Sequence, residues 1–231
     1  MSRADFAFGR TGMNADTRST FITKTYMHLL GAVLAFIGIE YVLLNNPAAQ
    51  EFGDKLTGSW MIVLGAYMVV SWVASYAAHR IENKAVQYLA LAAYVVVNAL
   101  IFLPLLMIAR GVGPDVIFQA AMITLSAFFG LTAIAFLTRK NFSFLRGILM
   151  FGGILALVLI ACSFIFGLTL GVWFSVAMVA LAGGMILYDT SNIIHEYPET
   201  MYIGAALSLF ASLSTLFWYV LRLVIAFSGD D

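Results

Sequence analysis

Charge is scarce in this sequence: 12 Lys and Arg and 12 Asp and Glu make up 10% of 231 residues, with a formal net charge of zero. Soluble domains carry about a quarter charged residues, so a water-soluble fold is excluded. The balance also leaves no basic footprint for nucleic acid and no acidic solvating tail. The single cysteine, Cys162, rules out an intramolecular disulfide and reads as a small buried apolar residue. Three histidines lie at three different boundaries of the apolar runs, and no HExxH motif is present, which argues against catalytic zinc. The last lysine is Lys140, so the final apolar segment offers no amine for a retinal Schiff base. Late apolar segments hold no histidine at the depth a reactive serine would need, and no glycine-rich phosphate loop occurs. Neither an enzyme nor a cofactor is expected.

What is abundant is apolar surface, with 62% hydrophobic residues and a mean hydropathy of +0.96. Crossing a bilayer takes roughly 20 mostly apolar residues. Such runs occur near Tyr26 to Leu44, Trp60 to Ala78, Val86 to Ile108, Val116 to Leu137, Phe144 to Phe166, Val172 to Leu187 and Ile203 to Phe227. The expected fold is all-α: a polytopic bundle of seven transmembrane helices in a lipid bilayer. It divides into a polar N-terminal arm (1–24), a transmembrane domain (25–228) and a short C-terminal tail (229–231). No apolar run precedes residue 25, so no cleavable signal peptide is expected. Pro104 falls inside the third run and is expected to kink it.

Lysine and arginine sort by connection. Four precede the first span, Arg80 and Lys84 follow the second, and Arg139, Lys140 and Arg146 lie between the fourth and fifth. Positive residues mark the cytoplasmic side, which places the N-terminus inside. The segment Asp189 to Tyr202 then reads as a cytoplasmic loop without positive charge. Seven crossings put the C-terminus outside; a re-entrant last segment would return it.

The last span carries a polar seam. At about 100° per residue, Gly204, Ser208, Ser212, Thr215, Tyr219 and Arg222 fall within about 40° of one line. The seam either permits close helix packing or lines a narrow polar path. Glu40 and Arg222 belong to the same outer half of the bilayer and could pair, unless Glu40 reaches outward to Lys55. Asp189 follows an apolar helix rich in Ala and Gly. Desolvation and a cation such as Arg80 would act on its titration in opposite senses, which makes it a candidate proton sensor, if it is not an ordinary helix-end carboxylate. His195 and His79 lie at the same side, in the titration range of a pH-responsive gate.

The run Leu187-Tyr188-Asp189-Thr190-Ser191-Asn192-Ile193-Ile194-His195, together with Ala206 to Arg222, resembles the C-terminal signature of the Bax inhibitor family. Thr138-Arg139-Lys140 with Ser143-Phe144-Leu145 is similar to the family's bacterial YccA branch. The resemblance implies a seven-helix bundle with the last helix central and a place in the bacterial inner membrane. Some members are described as pH-sensitive calcium leak channels, with one aspartate at the end of the sixth helix, a second on the seventh, and an arginine of the second helix as latch. Carried over, these positions are Asp189, Ser212 and Arg80, with Arg222 as the seventh-helix arginine. The second aspartate is thus a serine here, which leaves a one-carboxylate gate with calcium as a transient ligand of Asp189. The YccA branch implies another role, modulation of the membrane-anchored FtsH protease by protein contact.

Overall fold

In a computed structural model, residues 15–58, 60–80 and 83–229 are described. They form eight helices and no strand: α1 (Ala15–Leu44), α2 (Pro47–Gly58), α3 (Trp60–Arg80), α4 (Lys84–Val112), α5 (Val116–Thr138), α6 (Leu145–Phe166), α7 (Val172–His195) and α8 (Tyr202–Ser228). Six of these, α1 and α4 to α8, are long and apolar enough to cross a membrane by length and composition. Short connections lay α4 beside α3, α5 beside α4, α7 beside α6 and α8 beside α7.

Local chemistry fixes the ends. Asn83 accepts the Ala85 amide and caps α4, while Asn46 accepts the Ala48 amide and starts α2 with Pro47 in the first helical position, where a missing N–H costs nothing. Pro104 lies within α4, which continues as one helix to Val112. α6 ends at Gly167 with φ +66°, a left-handed turn that glycine adopts without strain.

The last helix is the centre of the bundle, packing against α1, α3, α4, α5 and α7. It buries Leu209, Phe210, Leu213, Leu216 and Leu221 against them. Around it, Phe36 meets Phe102 edge-on at 5.1 Å, and Phe102 stacks on Phe217 at 5.6 Å with an angle of 6° and meets Trp218 edge-on at 5.0 Å. α6 is peripheral, with Ala156 its one buried residue among those described. Gly204 marks a close approach: a Cβ there would come within 2.8 Å of the Ala78 carbonyl oxygen, so the α3 and α8 backbones touch.

Two sequence expectations need correction. The polar arm was expected to reach residue 24, but α1 begins at Ala15, because Arg18 anchors its first turns to the α7 end; residues 1–14 of the arm, and 230–231 of the tail, lie outside the described residues. The segment from Asp189 to His195 is not loop but the last two turns of α7. The connection carrying Lys55 also contains a helix, α2, which rests on α4 where Gly53 approaches Leu103 and Met107.

Candidate functional site

The polar tail of α7 reads as loop in sequence, yet Asp189, Thr190, Ser191 and Asn192 are all buried. Buried polar groups need partners, and neighbouring segments supply several. Ser191 Oγ accepts the Phe142 amide at 2.9 Å and donates to the Lys140 carbonyl at 3.4 Å, which ties the α5–α6 connection to α7. Asp189, only 9% exposed, receives the Ser212 hydroxyl on Oδ2 at 2.5 Å. This distance is in the range of a charge-assisted O–H···O bond.

Asp189 and Ser212 form part of the wall of an open cavity of about 380 Å³ between α3, α4, α7 and α8. Ser71, Ser75, Tyr94 and Ser208 add hydroxyls, and Trp72, Met185, Leu207 and Ala211 complete the lining. On the α4 side the polarity continues: Tyr67 and Tyr94 hydroxyls are 3.1 Å apart, Tyr67 donates to Asn98 Oδ1 at 3.4 Å, and Asn98 Nδ2 donates to the Tyr94 carbonyl at 2.9 Å.

At the other edge of the cavity a histidine closes the chain of contacts. His79 Nδ1 lies 2.7 Å from the Ser75 carbonyl, which can only accept, so Nδ1 carries a proton. In the neutral ring Nε2 is then an acceptor, placed 3.0 Å from the Tyr197 hydroxyl and 3.2 Å from Ser208 Oγ. Tyr197 and Ser208 are themselves 3.2 Å apart. Burial pushes the Tyr197 phenol up to about 12, against a smaller opposing effect of the Ser208 bond, so it remains a neutral donor at cellular pH.

The seam residues of α8 are buried or partly buried, and most of them meet other elements. Gly204 meets α3, Ser208 meets His79 and Tyr197, and Ser212 meets Asp189. Thr215 donates back to the Ala211 carbonyl at 2.8 Å; Tyr219 is buried with its ring edge-on to Phe174 at 5.9 Å. Arg222 Nη2 donates to the Leu170 carbonyl at 3.4 Å rather than to Glu40. Glu40 is 4% exposed, and among the described residues neither carboxylate oxygen has a hydrogen-bond partner. Neither alternative for Glu40, a pair with Arg222 or a reach outward to Lys55, is made: its carboxylate is buried without a hydrogen-bond partner among the described residues.

Of the proposed gate residues, Asp189 lines the cavity, whereas Arg80 and His195 are exposed and not part of its lining, and neither bonds to Asp189 among the described residues. The inward-turned basic group is Arg80's neighbour His79, and Tyr197 is its partner. Helical periodicity gave no signal for a tyrosine in a connection; the adjacent Pro198 marked only the turn. Among the described residues no cluster of three His, Cys, Asp or Glu could hold a metal ion.

The model for "Inhibitor of apoptosis-promoting Bax1" matches residues 18–229. An uncharacterized protein of Pseudomonas aeruginosa is 39% identical over 122 residues, 52% of this chain and 54% of that protein. The "Modulator of FtsH protease YccA" of Escherichia coli is 38% identical over 125 residues, 54% of this chain and 56% of the relative. The chain thus spans about half the length of these two relatives. "Protein LIFEGUARD 4" of Arabidopsis thaliana is 29% identical over 218 residues, 90% of this chain and 85% of that protein. The family match over nearly the whole chain, residues 18–229, establishes that this protein belongs to the Bax inhibitor family.

Proposed function

We propose that this protein is a non-enzymatic, multi-pass protein of the bacterial inner membrane that admits a cation, with calcium the leading candidate, to the cavity beside Asp189 under the control of protons. In this reading α3 is the seventh crossing, since its 21 residues at about 1.5 Å each reach across roughly 30 Å of hydrocarbon. The N-terminus and the Arg18 end of the bundle then face the cytoplasm, as the distribution of lysine and arginine supports.

One observation carries the reading: a buried carboxylate held by a single hydroxyl at 2.5 Å in the wall of a hydroxyl-lined cavity. Ser212 donates to the ionised carboxylate. When Asp189 takes a proton the acceptor loses its charge, and the contact either weakens to a neutral hydrogen bond on Oδ2 or reverses with Asp189 as the donor. A proton thereby changes both the charge facing the cavity and the α7–α8 contact. One carboxylate among hydroxyls suits a passing cation rather than a held one, because calcium prefers six to eight oxygen ligands. The rings of Phe36, Phe102, Phe217 and Trp218 pack together between α1, α4 and α8, and in this reading that cluster is the part of the core that loosens for conduction. Arg80 acts as a latch only after turning inward. Purified protein in liposomes should pass calcium faster at acidic pH, and Asp189→Asn should abolish the pH response.

A second reading, modulation of a membrane-anchored FtsH-type protease, is favoured by the 38% identity to the relative named for that role. Affinity purification of the full chain should recover the protease, and removal of residues 1–14 should weaken the association; no association at all would leave conduction as the function.

A further inference from the structure

The connection between α7 and α8 is held from two sides at one residue. Its backbone is gripped by the start of α1: Arg18 Nε donates to the Ile194 carbonyl at 3.1 Å and Nη1 to the Tyr197 carbonyl at 2.6 Å. Ile194 has one of the last carbonyls of α7, which lack a partner in their own helix, so Arg18 serves as a cap supplied from 176 residues away. The guanidinium also lies 5.0 Å over the Phe21 ring, and Glu199 of the same connection attracts it.

The side chain of Tyr197 points the opposite way, into the His79 and Ser208 contacts at 3.0 and 3.2 Å. Ser208 lines the cavity and lies one helical turn before Ser212. Four elements, α1, the α7–α8 connection, α3 and α8, therefore meet through one tyrosine at the Arg18 end of the cavity.

We propose that Arg18 and Tyr197 form a tether through which the N-terminal turns of α1 control access to the cavity beside Asp189. This rests on the reading of that cavity as the working site. With Arg18 in place, the Tyr197 carbonyl is fixed and its hydroxyl is held on His79 and Ser208, which adds a side-chain link between α3 and α8 beside their contact at Gly204. A binding partner that draws the start of α1 away removes two charge-assisted hydrogen bonds, frees the connection and lets the tyrosine leave Ser208. The tether gives a partner at the N-terminus a physical route to the polar site, so contact with another protein and entry of an ion become linked properties of one molecule.

The test measures access directly, without requiring that any ion pass. Full-length protein carrying Cys162→Ser and Ala211→Cys is placed in lipid nanodiscs, and the reaction of the cavity-lining thiol with a membrane-impermeant maleimide is timed. Arg18→Gln and Tyr197→Phe should each speed labelling severalfold, and the double variant should be no faster than the faster single, because both act on one tether. Parental labelling in Arg18→Gln, or a double variant whose effect multiplies the two singles, would overturn the tether. If Arg18→Gln does not give a monodisperse protein, Arg18→Met, which keeps the aliphatic stem over Phe21 and has no donors, is read in its place with the same two outcomes. A pH-dependent flux that is absent while labelling responds to Arg18 would refute conduction and leave the tether standing.

Discussion

Ser212 Oγ and Asp189 Oδ2 meet at 2.5 Å across the α7–α8 interface. The position where the family resemblance places a second aspartate is therefore in direct contact with the first one, although here it carries a hydroxyl. Serine supplies a proton donor that has no charge of its own and does not titrate in the physiological range. The contact joins one carboxylate to one hydroxyl.

Restoring a carboxylate should change that response in kind. In Ser212→Asp two acids share one buried contact and titrate as a coupled pair, so a property that follows Asp189 protonation in one step should follow it in two. Flux or intrinsic fluorescence measured against pH should become broader or biphasic. A curve of unchanged shape would mean that the two positions do not share a proton.

Removing the donor is a different perturbation. Ser212→Ala leaves Asp189 buried without this bond, which costs about 1–3 kcal/mol of stability at neutral pH. Thermal unfolding in detergent should report the loss, and Asp189→Asn in the same background should recover part of it.

The α3–α8 contact depends on a missing side chain. A Cβ at Gly204 meets the Ala78 carbonyl oxygen at 2.8 Å, and backbone cannot swing aside as a side chain can. Gly204→Ala should destabilise by about 1–3 kcal/mol. Gly31→Ala, where nothing lies within 4 Å, should be neutral or mildly stabilising in the same assay.

Glu40 is buried with both oxygens unpartnered among the described residues, an arrangement that does not favour stability. Glu40→Met should raise thermal stability by about 1 kcal/mol or more. Because Arg222 is engaged with Leu170, the effects of Glu40→Gln and Arg222→Gln should add. A strong coupling between them would show that the two pair in the membrane.

Hydrophobic run length located the helices well: the expected starts at Trp60, Val116 and Val172 are the observed ones. The sixth expected span ended eight residues early because four polar residues in succession look like loop. They are helical and buried because α8 and the α5–α6 connection cover them, a tertiary fact that no local window contains. The seam of α8 was legible because helical geometry fixes which side chains share a face, and Ser208 and Ser212 do share one. What that face touches was not legible. Depth alone suggested Glu40 for Arg222 and Arg80 for Asp189, but rotation about each helix axis turned His79 inward instead of Arg80 and led Arg222 to a carbonyl. Tyr197 escaped notice because its role depends on the meeting of four separate elements.

The central claim is that Asp189 is the proton-responsive group of a cation path, and the most direct measurement is calcium flux into liposomes holding purified protein, compared between acidic and neutral pH for the parent and Asp189→Asn. The account predicts faster flux at acidic pH in the parent and a rate independent of pH in Asp189→Asn. A pH response that persists unchanged in Asp189→Asn would contradict it.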